Sequence, residues 1–261
     1  MRRLSRSLPV VLAATVALTA TGIAADLNAK AVARIRAEPG KLPFTFVLIG
    51  DPQGGYETFK KLLGRCAEAK PRFIVVLGDL TRRGEQADYD AYVEALRAAP
   101  APVLSVIGNH DLPAGGRERY KSLFGKADCY ADYAGCRIVL LDNAERRLTR
   151  GQAAWLDHTL NTPKRKFVCM HCPPFLGNWW YDGFMGGTRR FLELMRTHKV
   201  KRVFMGHLHM VDSLHHEGVD YLICGSGGIA PALLPFGRAQ ICYVSVTVTQ
   251  DGEEIAVHPL P

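Results

Sequence analysis

The chain has 261 residues, of which 48% are apolar and 22% charged, with a formal net charge of +8. That length allows one large domain or two small ones, and the composition fits a soluble globular core. The positive balance mildly favours anionic ligands such as phosphates, but no Lys/Arg block is long enough to argue for nucleic acid.

The chain opens with a basic segment containing Arg2, Arg3 and Arg6, followed by an uncharged Val/Leu/Ala-rich run from Leu8 to Ala25. Small residues at Gly22 and Ala24 complete the pattern of a secretory signal peptide cleaved near Ala24 or Ala25. Residues 1–25 are therefore assigned to export, and 26–261 to a single domain. The alternative is an uncleaved anchor giving membrane association. Without Arg2, Arg3 and Arg6 the net charge falls to +5.

Strand-like and helix-like stretches then alternate. The periodicity predicts helices over 26–36, 56–70, 85–98, 117–124, 152–160 and 188–198. It predicts strands over 44–49, 73–77, 103–107, 137–141, 167–170 and 202–205. The tail changes character, with strands over 221–224, 240–249 and 254–258 and a tight turn at Asp251-Gly252. This is one α/β domain whose sheet turns mixed or doubles into a sandwich. Two loops, 173–187 and 225–240, are long and leave strand ends. The first holds Trp179, Trp180, Tyr181 and Phe184.

Five polar islands each follow an apolar run. They are Asp51-Pro52-Gln53, Gly78-Asp79, Gly108-Asn109-His110-Asp111, His171, and Gly206-His207-Leu208-His209. In an α/β sheet, the carboxyl ends of strands are where sites are built. Carboxylates, imidazoles and amides converging there suit a two-cation hydrolytic site, which needs three to four ligands per ion and one bridging carboxylate. Asp79 is the natural bridge, because Gly78 allows close approach. No G-x-S-x-G, H-E-x-x-H or Walker sequence supports a rival chemistry.

The ordered series D-x-Q, G-D, G-N-H-D, H and G-H-x-H resembles the calcineurin-like metallophosphoesterase family from about Phe44 to Cys224. The resemblance implies a four-layer αββα sandwich of two mixed sheets flanked by helices. It also implies hydrolysis of a small phosphate ester or pyrophosphate by a hydroxide bridging two divalent cations. Asp51, Gln53, Asp79 and His209 would hold the first ion, and Asp79, Asn109, His171 and His207 the second. His110 would stabilise phosphoryl charge or protonate the leaving oxygen. Asp111 would hydrogen-bond His110 and orient it. The family usually has His where Gln53 stands. An amide oxygen is a harder ligand than imidazole, so manganese is favoured over magnesium, iron or zinc.

Arg117, Trp179 and Trp180 are candidates for substrate contact, against plain roles as a solvated helix charge and loop packing. A metal-poor scaffold acting by protein binding, and an enzyme of envelope or lipid phosphoesters, are the alternative functions. Export permits disulfides, and Cys129 and Cys136, flanking an apparent hairpin connection, are a candidate pair. Otherwise most of the seven cysteines are small buried hydrophobes.

Overall fold

The computed structural model describes residues 26–261, so the export segment assigned to residues 1–25 lies outside the described residues. Among the described residues, no helix is long and apolar enough to cross a membrane.

Two mixed sheets pack face to face. The first contains β1 (Phe44–Ile49), β2 (Phe73–Val76), β3 (Val103–Ser105), β11 (Cys242–Val248) and β12 (Glu253–Pro259), in the order β12-β11-β1-β2-β3. The second contains β4 (Cys129–Tyr133), β5 (Cys136–Leu140), β6 (Arg165–Cys169), β7 (Arg202–Met205), β8 (Met210–His216), β9 (Val219–Cys224) and β10 (Arg238–Ala239). Its order is β10-β8-β9-β7-β6-β5-β4. β1, β2 and β3 run parallel, as do β5, β6, β7 and β9.

The layering follows from period-two alternation in strands buried on both faces. Phe46 and Leu48 of β1 point between the sheets and meet Phe73, Phe167 and Phe204. Phe46 stacks on Phe73 at 5.2 Å between ring centroids and meets Phe204 edge-on at 5.9 Å. Val47 and Ile49 point outward, under α2 (Tyr56–Arg65), α3 (Gln86–Ala95) and α4 (Gly116–Phe124). The outer face of the second sheet, with Val139, Val168 and Val203, is covered by α5 (Arg150–Leu160) and α6 (Thr188–Thr197). The result is the expected four-layer sandwich.

α1 (Leu27–Arg36) is capped by Asp26, whose carboxylate accepts from the Ala29 amide at 2.9 Å. It closes one end of the sandwich, placing Ala31 and Ile35 in the core between the sheets. The helix expected over 56–70 stops as a helix at Arg65, and a tight turn over Cys66–Ala69 ends on Lys70 at φ +47°.

The Cys129–Cys136 pair is corrected by the strand register. Cys129 faces Leu140 and Cys136 faces Tyr133, so the two lie at opposite ends of the hairpin. All seven cysteines are free thiols, and six are buried.

Candidate metal centre

The five islands lie where the parallel strands β1, β2, β3, β6 and β7 end, along one edge shared by both sheets. Asp51, Gln53, Asp79, His207 and His209 all adopt positive φ, from +40° to +73°. Such backbone costs a non-glycine residue roughly 1–3 kcal/mol and marks functional ground. Close approach does the rest. A Cβ on Gly78 would lie 2.5 Å from His171 Nδ1, and one on Gly206 would lie 2.7 Å from Asp51 Oδ2.

One half of the centre forms around His171, which is fully buried. Its Nδ1 donates to the Leu77 carbonyl at 2.8 Å, turning Nε2 inward. Nε2 then lies 2.9 Å from Asn109 Oδ1, 3.2 Å from Asp79 Oδ1 and 3.2 Å from His207 Nδ1. In the other half, ligand atoms of Asp51, Asp79 and His209 lie within 4.8 Å of one another. His209 Nε2 is 3.5 Å from Asp51 Oδ1. Asp79 lies within reach of both halves. Gln53 is buried, its backbone N–H donates to the Asp79 carbonyl at 2.8 Å, and its Oε1 has no hydrogen-bond partner.

The electrostatics point the same way. Burial works against a charged His171, but Asp79 and Asp51 outweigh it and raise its pKa to about 9. Burial also opposes ionisation of Asp79, yet His171 and His110 pull it down to about 2. His207 is lowered to about 3 by burial and by the neighbouring His171. The pocket is thus a negative field that draws positive charge onto Nε2 of His171.

Fit to divalent ions rests on counting lone pairs. Three polar atoms crowd one imidazole nitrogen that can carry at most one proton. Gln53 Oε1 and His207 Nε2 are buried with no hydrogen-bond partner. Cations satisfy all of them, and the O/N donor set is one that divalent ions take.

His110 stands at the mouth with 42% of its side chain exposed. Its backbone N–H donates to Asp79 Oδ1 at 2.8 Å, and its Nδ1 bonds the Arg82 carbonyl at 2.9 Å. Nε2 is left toward the cavity, 4.0 Å from Asp79 Oδ2.

The role expected of Asp111 is corrected. Its fully buried carboxylate does not touch the His110 ring. It accepts from the amides of Leu80, Thr81 and Gly108 and from the Thr81 hydroxyl, at 2.8–3.1 Å. It therefore ties the loop after β2 to the loop after β3. Burial, reinforced by Asp79, raises its pKa to about 7.

Three substrate candidates do not join the ligands. Arg117 is held by Asp142 and by Glu145 at 3.3 Å, and lines a separate cavity of about 670 Å³ beside Trp155. Trp179 is buried under the second sheet, its indole N–H donating to Asp212 at 2.8 Å, so no ring face is free for stacking. Trp180 is 63% exposed and lies off the cavity wall.

Other residues were missed by the sequence reading. Asn143 Oδ1 accepts from the backbone amides of His171 and Cys172, each at 3.0 Å, and its Nδ2 donates to the Cys172 carbonyl at 2.6 Å. Asp142-Asn143 follows the end of β5, another parallel strand, and was a readable sixth island. The Cys172 thiol lies within 4.8 Å of ligand atoms of His171 and His207, and burial keeps it protonated. Arg146 and Asp182 line the centre's cavity of about 300 Å³ with His110, His207 and His209. Neither carries a strand-end signal.

The family model "Calcineurin-like phosphoesterase" matches residues 44–211, and the chain belongs to that family. A probable cyclic nucleotide phosphodiesterase of Synechococcus sp. is 28% identical over 162 residues, covering 57% of this chain and 62% of the relative. The glycerophosphodiester phosphodiesterase GpdQ of Enterobacter lignolyticus is 31% identical over 157 residues, 54% of this chain and 56% of the relative. The chain thus matches about three-fifths of the length of these curated relatives. A dimetal phosphatase from Danio rerio has the same fold, with a TM-score of 0.67 at 15% identity over 85% of this chain and 97% of its own.

Proposed function

We propose that the protein is a metal-dependent hydrolase of phosphate esters or pyrophosphates. Asp51, Gln53, Asp79 and His209 would hold one divalent ion, and Asp79, Asn109, His171 and His207 the other. The observation that carries this reading is the crowding of Asn109 Oδ1, Asp79 Oδ1 and His207 Nδ1 around His171 Nε2, all within 3.2 Å. His171 Nε2 can donate to only one of the three, and the other nitrogen of His207 is buried with no hydrogen-bond partner. When bound, two such ions neutralise phosphoryl oxygens and acidify and orient a water.

The chain's own residues account for the rest. Leu77 and Asn143 fix the ring and backbone of His171. Asp111 holds the loops of Asp79 and Asn109 together. His110, anchored through Nδ1 on Arg82, presents Nε2 to the phosphoryl oxygens or the leaving oxygen and can hand over a proton there. The amide of Gln53 in a mostly imidazole and carboxylate set favours manganese at its side. The names of the relatives, a cyclic nucleotide phosphodiesterase and a glycerophosphodiester phosphodiesterase, support small phosphodiesters as substrates. The basic, apolar start of the chain supports export, which N-terminal sequencing of the mature protein would test.

The test is chelation followed by reloading with manganese, magnesium or zinc, then assay on an aryl monoester, an aryl diester and a nucleoside diphosphate conjugate. Loss and metal-specific recovery of turnover is expected, with about two ions per chain by elemental analysis. A protein that binds no metal and turns over none of the three is instead the scaffold alternative.

A second reading has one specific observation behind it. Phe175, Trp180, Met185 and Leu233 are exposed on the two loops that flank the cavity. They would suit phosphoesters presented at a lipid surface, and faster turnover of vesicle-borne than dispersed substrate would support it.

A further inference from the structure

Arg146 follows β5 in a turn closed by its own amide on the Asn143 carbonyl at 2.8 Å, with φ at +58°. Asp182 ends the tight turn after β6. The Arg146 guanidinium donates to the Asp182 backbone carbonyl at 2.6 Å and pairs with its carboxylate. The other carboxylate oxygen of Asp182 lies 3.0 Å from His207 Nε2, out of line for a hydrogen bond. Both side chains are part-exposed and both line the cavity of the metal centre. Among the described residues Arg146 has no other acidic partner. The pair adds a cation and an anion to the wall, with no net charge, where the substrate must sit.

We propose that the Arg146–Asp182 pair sets the choice between singly charged phosphodiesters and doubly charged phosphomonoesters. This rests on the phosphoesterase reading above and names the substrate class of that same site. A monoester carries about −1.5 to −2 charges at neutral pH, and its extra terminal oxygen needs a cation. Arg146 is placed to supply one but is held by Asp182. The Asp182 carboxylate, facing the same space, repels the second charge. A diester carries one charge and makes no such demand. Its second ester arm finds Leu208, Ala232 and Leu234, the apolar part of the wall. Asp182 is thus a specificity residue that works by rejecting the wrong charge state.

The experiment compares wild type, Asp182→Asn, Arg146→Ala and the double variant Arg146→Ala/Asp182→Ala, each loaded with manganese and checked for metal content. kcat/KM is measured on p-nitrophenyl phosphate and bis(p-nitrophenyl) phosphate. Calorimetry gives the affinities of orthophosphate and dimethyl phosphate. In Asp182→Asn the monoester-to-diester ratio should rise about tenfold, and orthophosphate should gain on dimethyl phosphate by a similar factor. In Arg146→Ala both ratios should fall. The double variant, again without net charge, should return toward wild type. If Asp182→Asn changes both substrates and both anions equally, or only loses metal, the pair is a structural brace and the proposal is wrong. If wild type turns over neither substrate nor a nucleoside diphosphate conjugate, the phosphoesterase reading fails, while the two anion affinities still decide whether the pair sorts charge.

Discussion

Asn143→Ala tests whether the centre is built by the backbone around His171 as much as by its ring. Asn143 is 1% exposed, and its side chain satisfies two amides and one carbonyl of the His171-Cys172 segment. Truncation leaves three buried groups without their partner. Each costs about 1–3 kcal/mol if nothing replaces it. A water in the vacated space recovers part of that, because the space is polar and about the right size. The expected loss is therefore about 2–4 kcal/mol, read as a lower urea midpoint at unchanged slope. His171 Nε2 should also lose its placement, and metal affinity should fall about 10–100-fold, as for other groups that orient a ligand. Calorimetric manganese titration reads the second effect. A stability change under about 0.5 kcal/mol with wild-type metal affinity would give Asn143 no more weight than an ordinary surface position carries and refute the reasoning.

Other expectations are simpler. His110→Ala should lower turnover about 10²–10⁴-fold with metal content intact by elemental analysis, because its ring touches no other ligand within bonding distance; metal loss on a par with the drop in rate would remove its catalytic role. Burial opposes ionisation of Asp132, but Arg137 and Lys164 overcome this and lower its pKa. That carboxylate therefore contributes stability above its unfolded pKa of about 3.9, lost as pH falls through the depressed folded value. Asp132→Asn should remove part of the stability at pH 5 and little at pH 2, and an equal effect at both would show that charge is not the cause. A thiol titration without reductant should find seven thiols in denaturant and few in the native state at pH 8, since burial raises the pKa of Cys66, Cys129 and Cys136 to about 11–12. Two fewer in denaturant would mean that one pair is bridged, and peptide mapping would have to find Cys129 joined to Cys136 to overturn the correction made from the register.

What the sequence made legible follows from what strands do. Buried parallel strands read as continuous apolar runs, so the residues just past them stand out, and Asp51, Asp79, Asn109, His171 and His207 were found that way. β8 was missed because it lies near the sheet edge. After Met210 and Val211 it alternates exposed Ser213 and His215 with half-covered neighbours, and offers no apolar run. Asp111 was legible as a residue but not in its task. A carboxylate next to a catalytic histidine in sequence looks like its partner, whereas the turn over Asn109–Asp111 swings the two side chains apart. Arg146 and Asp182 come from irregular loops, whose path depends on packing rather than period. Trp179 misled for a related reason: its composition suggested a stacking face, while its position in the turn buried it.

The centre is also where this fold stores its instability, and that sets what metal should do to the whole molecule. Asp51, Asp79, His207 and His209 each hold positive φ, at about 1–3 kcal/mol apiece. The buried carboxylates of Asp51 and Asp79 lie close together, and Gln53 Oε1 and His207 Nε2 lack hydrogen-bond partners. None of this is relieved by the hydrophobic layers, which end at the strand termini. Ions that bind only the folded centre stabilise it by mass action, about 2.7 kcal/mol per site at a hundredfold excess over Kd. For a domain of this size that corresponds to a rise in Tm of roughly 5–10 °C per ion. Scanning calorimetry of chelated against manganese-loaded protein should show that shift, and His209→Ala should lose about one ion's share while keeping the rest. If chelation leaves Tm unchanged while emptying the protein of metal, the strain at Asp51 and Asp79 is carried by packing alone, and the centre is preformed without its ions.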